Sequence, residues 1–248
     1  MIEVHYQSDI GKARDTNEDY VGVFTSQSKA QLLLVADGVG GMQGGEVASE
    51  MTVETMGEYF EKSHFTTAQT ALTWLEEAIT KVNQAVKQRS QDYFDLRGMG
   101  TTLVALLFVE NQVVVAHIGD SRAYLLRQQR FSPLTQDHTF VSQMVRLGEM
   151  SEEEAKKHPK RHWVTRAVGV EAEVEFDYDV QTVQPGDRYL LCSDGLTNLL
   201  TPSAIKHILL EPLTLADQCQ ALIDLTNQAG GTDNITVLLA AVPNEVKS

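Results

Sequence analysis

The 248-residue chain predicts an α+β fold, a β-sandwich of two antiparallel sheets flanked by helices on both outer faces. Three observations point there. Residues 101–109, 112–118 and 121–127 are apolar, β-branched runs joined by turns of a few residues, too short for the crossover that parallel strands need. These runs barely alternate between apolar and polar residues, so both of their faces need cover. Long amphipathic helical patterns precede them and further helices follow, and helices packed outside two stacked sheets meet that need.

The elements read in order as follows. Residues 2–7 and 20–25 are short strands on either side of a polar loop, Ser8 to Asp19. The continuous apolar run QLLLVA at 31–36 reads as a strand buried on both faces. After the glycine cluster Gly38, Gly40, Gly41, Gly44 and Gly45, one helical stripe carries Val47, Ala48, Met51, Thr55, Met56, Tyr59 and Phe60. A second stripe carries Ala71, Leu72, Leu75, Ala78, Ile79, Val82 and Val86, with Thr66 or Thr67 as its cap. The three central runs then read as hairpin-connected strands. A polar, helix-punctuated region extends from about Thr135 to Gly169, with Ser151 and Glu154 as a capping box. Strands return near 174–180 and 187–192, helices open at Thr201-Pro202 and at Thr214, and a strand at 235–242 ends the pattern. No repeat, low-complexity stretch or linker interrupts it, so residues 1–248 read as one domain.

Composition narrows the function classes. Hydrophobic residues at 42% and charged residues at 22% are ordinary for a globular chain. A net charge of −14 argues against nonspecific binding to nucleic acid or to an anionic membrane. Cys192 and Cys219 have neither metal-ligand spacing nor a disulfide framework, and Cys192, inside YLLCSDG, reads as a buried reduced thiol. The N-terminal residues lack the basic and apolar regions of a secretory signal, and no apolar run reaches the ~20 residues of a membrane span. The expectation is a soluble cytoplasmic protein.

Four aspartates stand where an apolar run meets a turn: Asp37 in LLLVADGVGG, Asp120 in VVVAHIGDSR, Asp194 in YLLCSDGL and Asp233 in GGTDNITVLL. Carboxylates at the rims of rigid strands are the ligands that hard divalent cations such as magnesium and manganese take. Any one Asp-Gly alone reads as a turn. Asp120 has the competing reading of a cap for the following strand, and Arg14 that of a surface partner for Glu18. His117, at the end of an apolar run, reads as a hydrogen-bonded structural histidine. GVGGMQGG lacks the spacing and the Lys-Ser/Thr ending of a P-loop.

Seven ordered words carry a family resemblance: RDTNED (14–19), VADGVGG (35–41), GTT (100–102), IGDSRAY (118–124), TRAVG (165–169), CSDGL (192–196) and GTDNIT (231–236). Together they resemble the metal-dependent serine/threonine protein phosphatases of type 2C, in their short bacterial form, from Asp9-Ile10-Gly11 to the last strand. The resemblance implies a pair of packed antiparallel sheets with two helices on each outer face. It implies that Asp37 bridges two manganese or magnesium ions, with the Gly38 carbonyl helping to hold one. Asp194 and Asp233 would complete the first ion's shell, Glu18 would serve the second, directly or through water, and Asp19 would support the cluster. Asp120, with Asp194, resembles a weaker third-metal site. Arg14 would receive the substrate phosphate, a task that suits a guanidinium fork. The region around 146–167 corresponds to a flap beside the active site.

The implied reaction is hydrolysis of phosphoserine and phosphothreonine by direct attack of a metal-bridging hydroxide, with no covalent intermediate. The substrates would be phosphorylated proteins, the opposing partner a bacterial serine/threonine kinase, and the chain a monomer. Many eukaryotic members place a proton-donating histidine directly after the metal-binding Asp-Gly. Here that residue is Val39, which leaves a metal-bound water as the first candidate donor and a flap residue or His162 as the second. Two rivals remain to be separated. A catalytically silent, phosphatase-like binding module should have lost a ligand aspartate or Arg14, and all are present. A metal nuclease is disfavoured by the acidic charge.

Overall fold

The apolar run at 31–36 owes its lack of alternation to two cores, one on each face. In the computed structural model, which describes residues 2–40 and 44–244, this run belongs to strand β3 (Gln31–Val39). Leu32, Leu34 and Ala36 face a core beneath two helices, while Leu33 and Val35 face a core between two sheets. Truncating any of these leucines or Val35 to alanine leaves a cavity, and for leucine the cost is about 2–5 kcal/mol.

β3 follows β1 (Glu3–Asp9) and β2 (Asp19–Thr25). It is succeeded by helices α1 (Gly44–Glu61) and α2 (Ala68–Asp92) and a 3-10 turn at Phe94–Leu96. Strands β4 (Gly100–Thr101), β5 (Leu103–Val109), β6 (Gln112–Ile118), β7 (Arg122–Arg127) and β8 (Arg130–Pro133) come next. Helices α3 (Phe140–Arg146) and α4 (Glu152–Lys157) punctuate the polar region before β9 (Asp177–Thr182) and β10 (Arg188–Cys192). The chain finishes with α5 (Asp194–Thr197), α6 (Pro202–Leu210), α7 (Leu215–Gln228) and β11 (Ile235–Ala241). Gly41 of the glycine cluster lies outside the described residues.

One sheet runs β1-β11-β10-β7-β8 and the other β2-β3-β5-β6-β9, with β4 against the end of β3. Every pairing is antiparallel. The core between the sheets sets Leu33, Val35, Leu106 and Val115 with Tyr189, Leu191, Leu238 and Ala240. The stripe Ala71, Leu72, Leu75, Ala78, Ile79, Val82, Val86 of α2 is buried, with α1, on the outer face of the second sheet. Ile205 and Leu209 of α6 and Cys219, Leu222 and Ile223 of α7 cover the first. Four helix starts are those the sequence indicates. Thr67, Ser151, Thr201 and Thr214 each accept a backbone N–H in the first turn, and Ser151 with Glu154 completes its capping box. Both cysteines are buried and unbridged.

Three expectations are corrected. β5 and β6 form the expected hairpin, but β6 and β7 do not pair; the chain crosses from one sheet to the other at Gly119, Asp120 and Ser121. A short turn limits the choice to antiparallel neighbours only when both strands stay in one sheet. β3 does not end at Ala36, because β4 pairs Gly38 with Thr101 and Val39 with Gly100 and carries the ladder past Asp37. The strand expected at 174–180 is displaced to Asp177–Thr182, since Val174 and Phe176 pack on the helix-covered core without joining the ladder.

Candidate metal centre

One end of the sandwich collects the acidic residues, and each sheet contributes. Asp19 opens β2 and sits opposite Asp37 of β3 in the strand register. On the other sheet Asp194 follows β10 and begins α5, and Asp233 lies two residues before its neighbour β11. Asp120 stands at the crossing between the sheets. A cleft of about 830 Å³ is lined by Arg14, Glu18, Asp37, Gly38, Asp120, Asp194 and Asp233, together with Val39, Arg161 and His162. Asp19 is buried behind it, 6% exposed. Every residue of the sequence-derived set is therefore at or directly behind one cleft.

Backbone and small polar side chains fix this arrangement. The Asp37 N–H donates to Thr102 Oγ1 at 2.9 Å, and the Asp37 carbonyl accepts from Thr102 N–H at 2.8 Å. Thr102 Oγ1 lies 2.7 Å from Ser121 Oγ, which links Asp37 to the turn that carries Asp120. Glu18 N–H donates to Asn234 Oδ1 at 2.9 Å, and Asn234 Nδ2 donates to the carbonyls of Ile10 and Thr16, so the loop bearing Arg14 and Glu18 is pinned beside Asp233. Ser193 Oγ donates to Asp19 Oδ2 at 2.6 Å, and Asn198 Nδ2 to Asp194 Oδ2 at 2.8 Å. Two glycines permit the close approach of α1. A Cβ on Gly38 would strike the Gly45 carbonyl, and one on Gly45 would lie 2.8 Å from the Glu18 carboxyl carbon.

The electrostatics show an uncompensated negative centre. Burial, then Asp19 and the other aspartates, hold the Asp37 carboxyl well above the ordinary carboxylate range. Burial and the neighbouring Asp194 push Asp120 up to about 8. Burial raises Asp19 to about 7 against the opposing hydrogen bond from Ser193. Asp194 is raised by burial and by Asp233, and Glu18 chiefly by burial. Asp37 keeps some contact with the cleft, yet among the described residues its carboxylate accepts no hydrogen bond. Asp19 Oδ1 is buried without a partner. Buried polar atoms are ordinarily satisfied, so a carboxylate oxygen left bare here marks a place for a cation. An all-oxygen donor set of several carboxylates fits magnesium or manganese and does not fit soft, thiolate-seeking metals.

Arg14 pairs with Asp233, not with Glu18. Its guanidinium forks onto Asp233, with Nε and the NH2 nitrogen each 2.9 Å from a carboxylate oxygen, while the Arg14 side chain stays 49% exposed. It is thus a cation at the cleft mouth, held by a carboxylate. His117 is the structural residue expected, its Nε2 2.7 Å from the Gln136 carbonyl. Sequence reasoning missed Thr102, Ser121, Ser193, Asn198, Asn234 and Arg161. Ser121, Ser193 and Asn234 stand beside a site aspartate in the words GDS, CSDGL and TDN, Asn198 follows Asp194 by four residues, and Thr102 ends the word GTT. Serine, threonine and asparagine are favoured at turns for local reasons, so nothing in the sequence separates the two roles.

Comparison with known proteins agrees with this geometry. Residues 11–230 match the family model described as protein phosphatase 2C. The chain is 42% identical over 239 residues to the serine/threonine phosphatase stp of Listeria innocua, covering 96% of this chain and 95% of that protein. The solved S. agalactiae serine/threonine phosphatase superposes with a TM-score of 0.94 at 37% identity, covering 98% of this chain and all of that one. The catalytic domain of the serine/threonine protein phosphatase PstP, solved in complex with two manganese ions, superposes at 0.86 with 36% identity over 98% of each chain. With the family model spanning most of its length, the chain belongs to the protein phosphatase 2C family.

Proposed function

We propose that this chain hydrolyses phosphoserine and phosphothreonine in proteins at a divalent-metal centre built on Asp37. The observation that carries the reading is the cleft in which Asp37, Asp120, Asp194 and Asp233 converge with Arg14 at the mouth. Asp37, which lines the cleft, is the residue that would be shared by two ions. Asp194 and Asp233 would hold the first, Glu18 and the Gly38 carbonyl would serve the second, and Asp19, bonded to Ser193, would brace the cluster. Asp120 with Asp194 would hold a weaker third ion. When bound, manganese or magnesium supplies an activated water and offsets charge on the phosphoryl oxygens.

The chain's own residues account for the rest. A phosphate dianion is repelled by the acidic floor unless a cation receives it, and Arg14 is the guanidinium positioned to exchange the Asp233 carboxylate for phosphate. The fork geometry suits both partners, so the Arg14–Asp233 pair keeps the guanidinium at the mouth until substrate arrives. Val39 lines the cleft where a proton donor stands in many relatives and contributes no proton. His162 lines the same cleft and is the imidazole proposed to serve the leaving oxygen. The 146–167 flap walls an adjoining cleft of about 600 Å³ with Ala155, Lys156, Arg161 and His162, where the protein part of the substrate is selected. The physiological reading is a monomeric, cytoplasmic, one-domain enzyme opposing a serine/threonine kinase. No described helix is long and apolar enough to cross a membrane.

Hydrolysis of p-nitrophenyl phosphate with manganese and with EDTA tests the activity. Manganese-dependent turnover that EDTA abolishes is expected. Its absence from folded protein would return the chain to the class of silent binding modules.

A further inference from the structure

His138 belongs to a cluster that the proposed chemistry does not use. His117, His138 and Asp177 each bring one ligand-type atom within 4.8 Å of the others, the spacing of a metal site. Two features exclude a shared ion. The imidazoles are stacked, 4.5 Å between centroids and 17° between planes, so no single point lies in both ring planes at bonding distance. Arg166 already supplies the cation, its NH1 2.9 Å from Asp177 Oδ1 and 3.3 Å from His138 Nε2.

The remaining ring nitrogen faces the Asp120 turn. The buried Gly119 N–H donates to His138 Nδ1 at 3.2 Å, and the His138 N–H donates to the Gly119 carbonyl at 2.9 Å. A backbone N–H only donates, so Nδ1 carries the lone pair. The neutral ring then bears its proton on Nε2, where Asp177 Oδ2, 3.3 Å away, accepts it. On its other side the His138 carbonyl accepts Thr165 N–H at 2.8 Å, and Thr139 pairs with Val164. These are the two segments at the base of the flap. One residue therefore joins the flap base to the residue preceding Asp120, while Thr102 grips the same turn through Ser121.

We propose that His138 is a positioning residue, whose Nδ1, in the tautomer selected by Asp177, holds the Gly119–Asp120 turn at the cleft and couples it to the flap base. The inference rests on the phosphatase reading for its catalytic consequence only. A hydrogen bond at this point fixes where the Asp120 carboxylate stands, as partners behind metal ligands commonly do, with effects of about 10–100-fold when removed.

His138→Asn and His138→Gln separate the two ring nitrogens, because asparagine Oδ1 occupies the place of Nδ1 and the glutamine amide that of Nε2. In metal-free protein, Gly119 amide exchange is expected to quicken at least about tenfold in His138→Gln and to stay near wild type in His138→Asn. With manganese and p-nitrophenyl phosphate, His138→Gln should lower kcat about tenfold with KM within about twofold, and His138→Asn should recover most of it. In an Asp120→Asn background the same His138→Gln change should alter kcat by less than about twofold. Asp177→Ala, at a side chain 48% exposed, serves if a His138 variant fails to fold, with a smaller loss in the same direction. Equal Gly119 protection in every variant, or an undiminished His138→Gln effect in the Asp120→Asn background, would overturn the proposal. Wild-type protein without manganese-dependent turnover would instead overturn the phosphatase reading, and the exchange measurement would still decide the role of His138.

Discussion

Strand β10 has an aspartate just outside each end, and their surroundings are opposite. Asp187 is 1% exposed and fully satisfied: Arg127 donates from Nε at 2.7 Å and from its NH2 group at 2.6 Å, with further bonds from Gln184 N–H and the Tyr189 hydroxyl. Asp194, at the other end, accepts one side-chain bond from Asn198 and faces Asp233 and Asp120. One carboxylate holds the sandwich together; the other adds to a charge that the protein leaves uncompensated. A buried charge without its partner is expensive, so the acidic end keeps a standing preference for cations, at a cost to the stability of the metal-free chain.

Exchanging the properties of the two ends tests that contrast most strongly. Asp37→Asn should lower kcat by at least about 10³-fold while raising the melting temperature of the metal-free protein, since it removes a buried carboxyl that can ionise only against neighbouring aspartates. A lower metal-free melting temperature would place Asp37 among the structural carboxylates. Asp187→Asn should do the reverse, costing about 1–3 kcal/mol in denaturant unfolding because the donors around this buried side chain lose their charged acceptor, with kcat per folded molecule unchanged. A loss of kcat there would mean that the two ends are coupled.

Smaller effects sharpen the same contrast. Arg14→Ala should lower kcat/KM for a phosphopeptide by about 10–100-fold, and an unchanged value would leave Arg14 as the partner of Asp233 alone. The metal-free protein should also lose stability as pH rises. Asp19 and Asp120 hold protons in the folded chain up to about 7 and about 8, while the unfolded chain releases them near 3.8. Between those limits the folded state binds more protons, so each unit of pH costs up to about 1.4 kcal/mol per group. Urea midpoints should therefore fall from pH 4 to pH 8 and flatten above, and saturating manganese should remove the slope; a metal-free midpoint that rises with pH would refute it. The smallest effect expected is that of His162→Gln, which should slow phosphoserine-peptide hydrolysis up to about tenfold yet spare p-nitrophenyl phosphate, whose leaving group needs no proton. Equal losses on both substrates would assign His162 to binding.

The legible parts of the sequence were those with local causes. The helix starts at Thr67, Ser151, Thr201 and Thr214 follow from capping chemistry, and the stripe on α2 follows from the helical period. The continuous run of β3 implied cover on both faces, and the two cores confirm it. The four aspartates could be picked out because each lies where a strand meets a turn, but their convergence depends on pairings that no local rule supplies. The crossing at Gly119–Ser121 shows the limit. A three-residue link between apolar runs looks the same whether the next strand joins the same sheet or the opposite one. Only the second choice brings Asp120 to the rim beside Asp194. The Arg14–Asp233 pair and the His138–Gly119 bonds were hidden for the same reason, since their partners are 219 and 19 residues apart.

Calorimetric titration of manganese into the metal-free chain at neutral pH, beside Asp37→Asn and Asp187→Asn, tests the contrast between the two ends most directly. The expected result is binding of at least two ions with proton release in the wild type and in Asp187→Asn, and its loss in Asp37→Asn. Retained two-ion binding in Asp37→Asn, or none in the wild type, would contradict a metal centre built on the unpaired carboxylates.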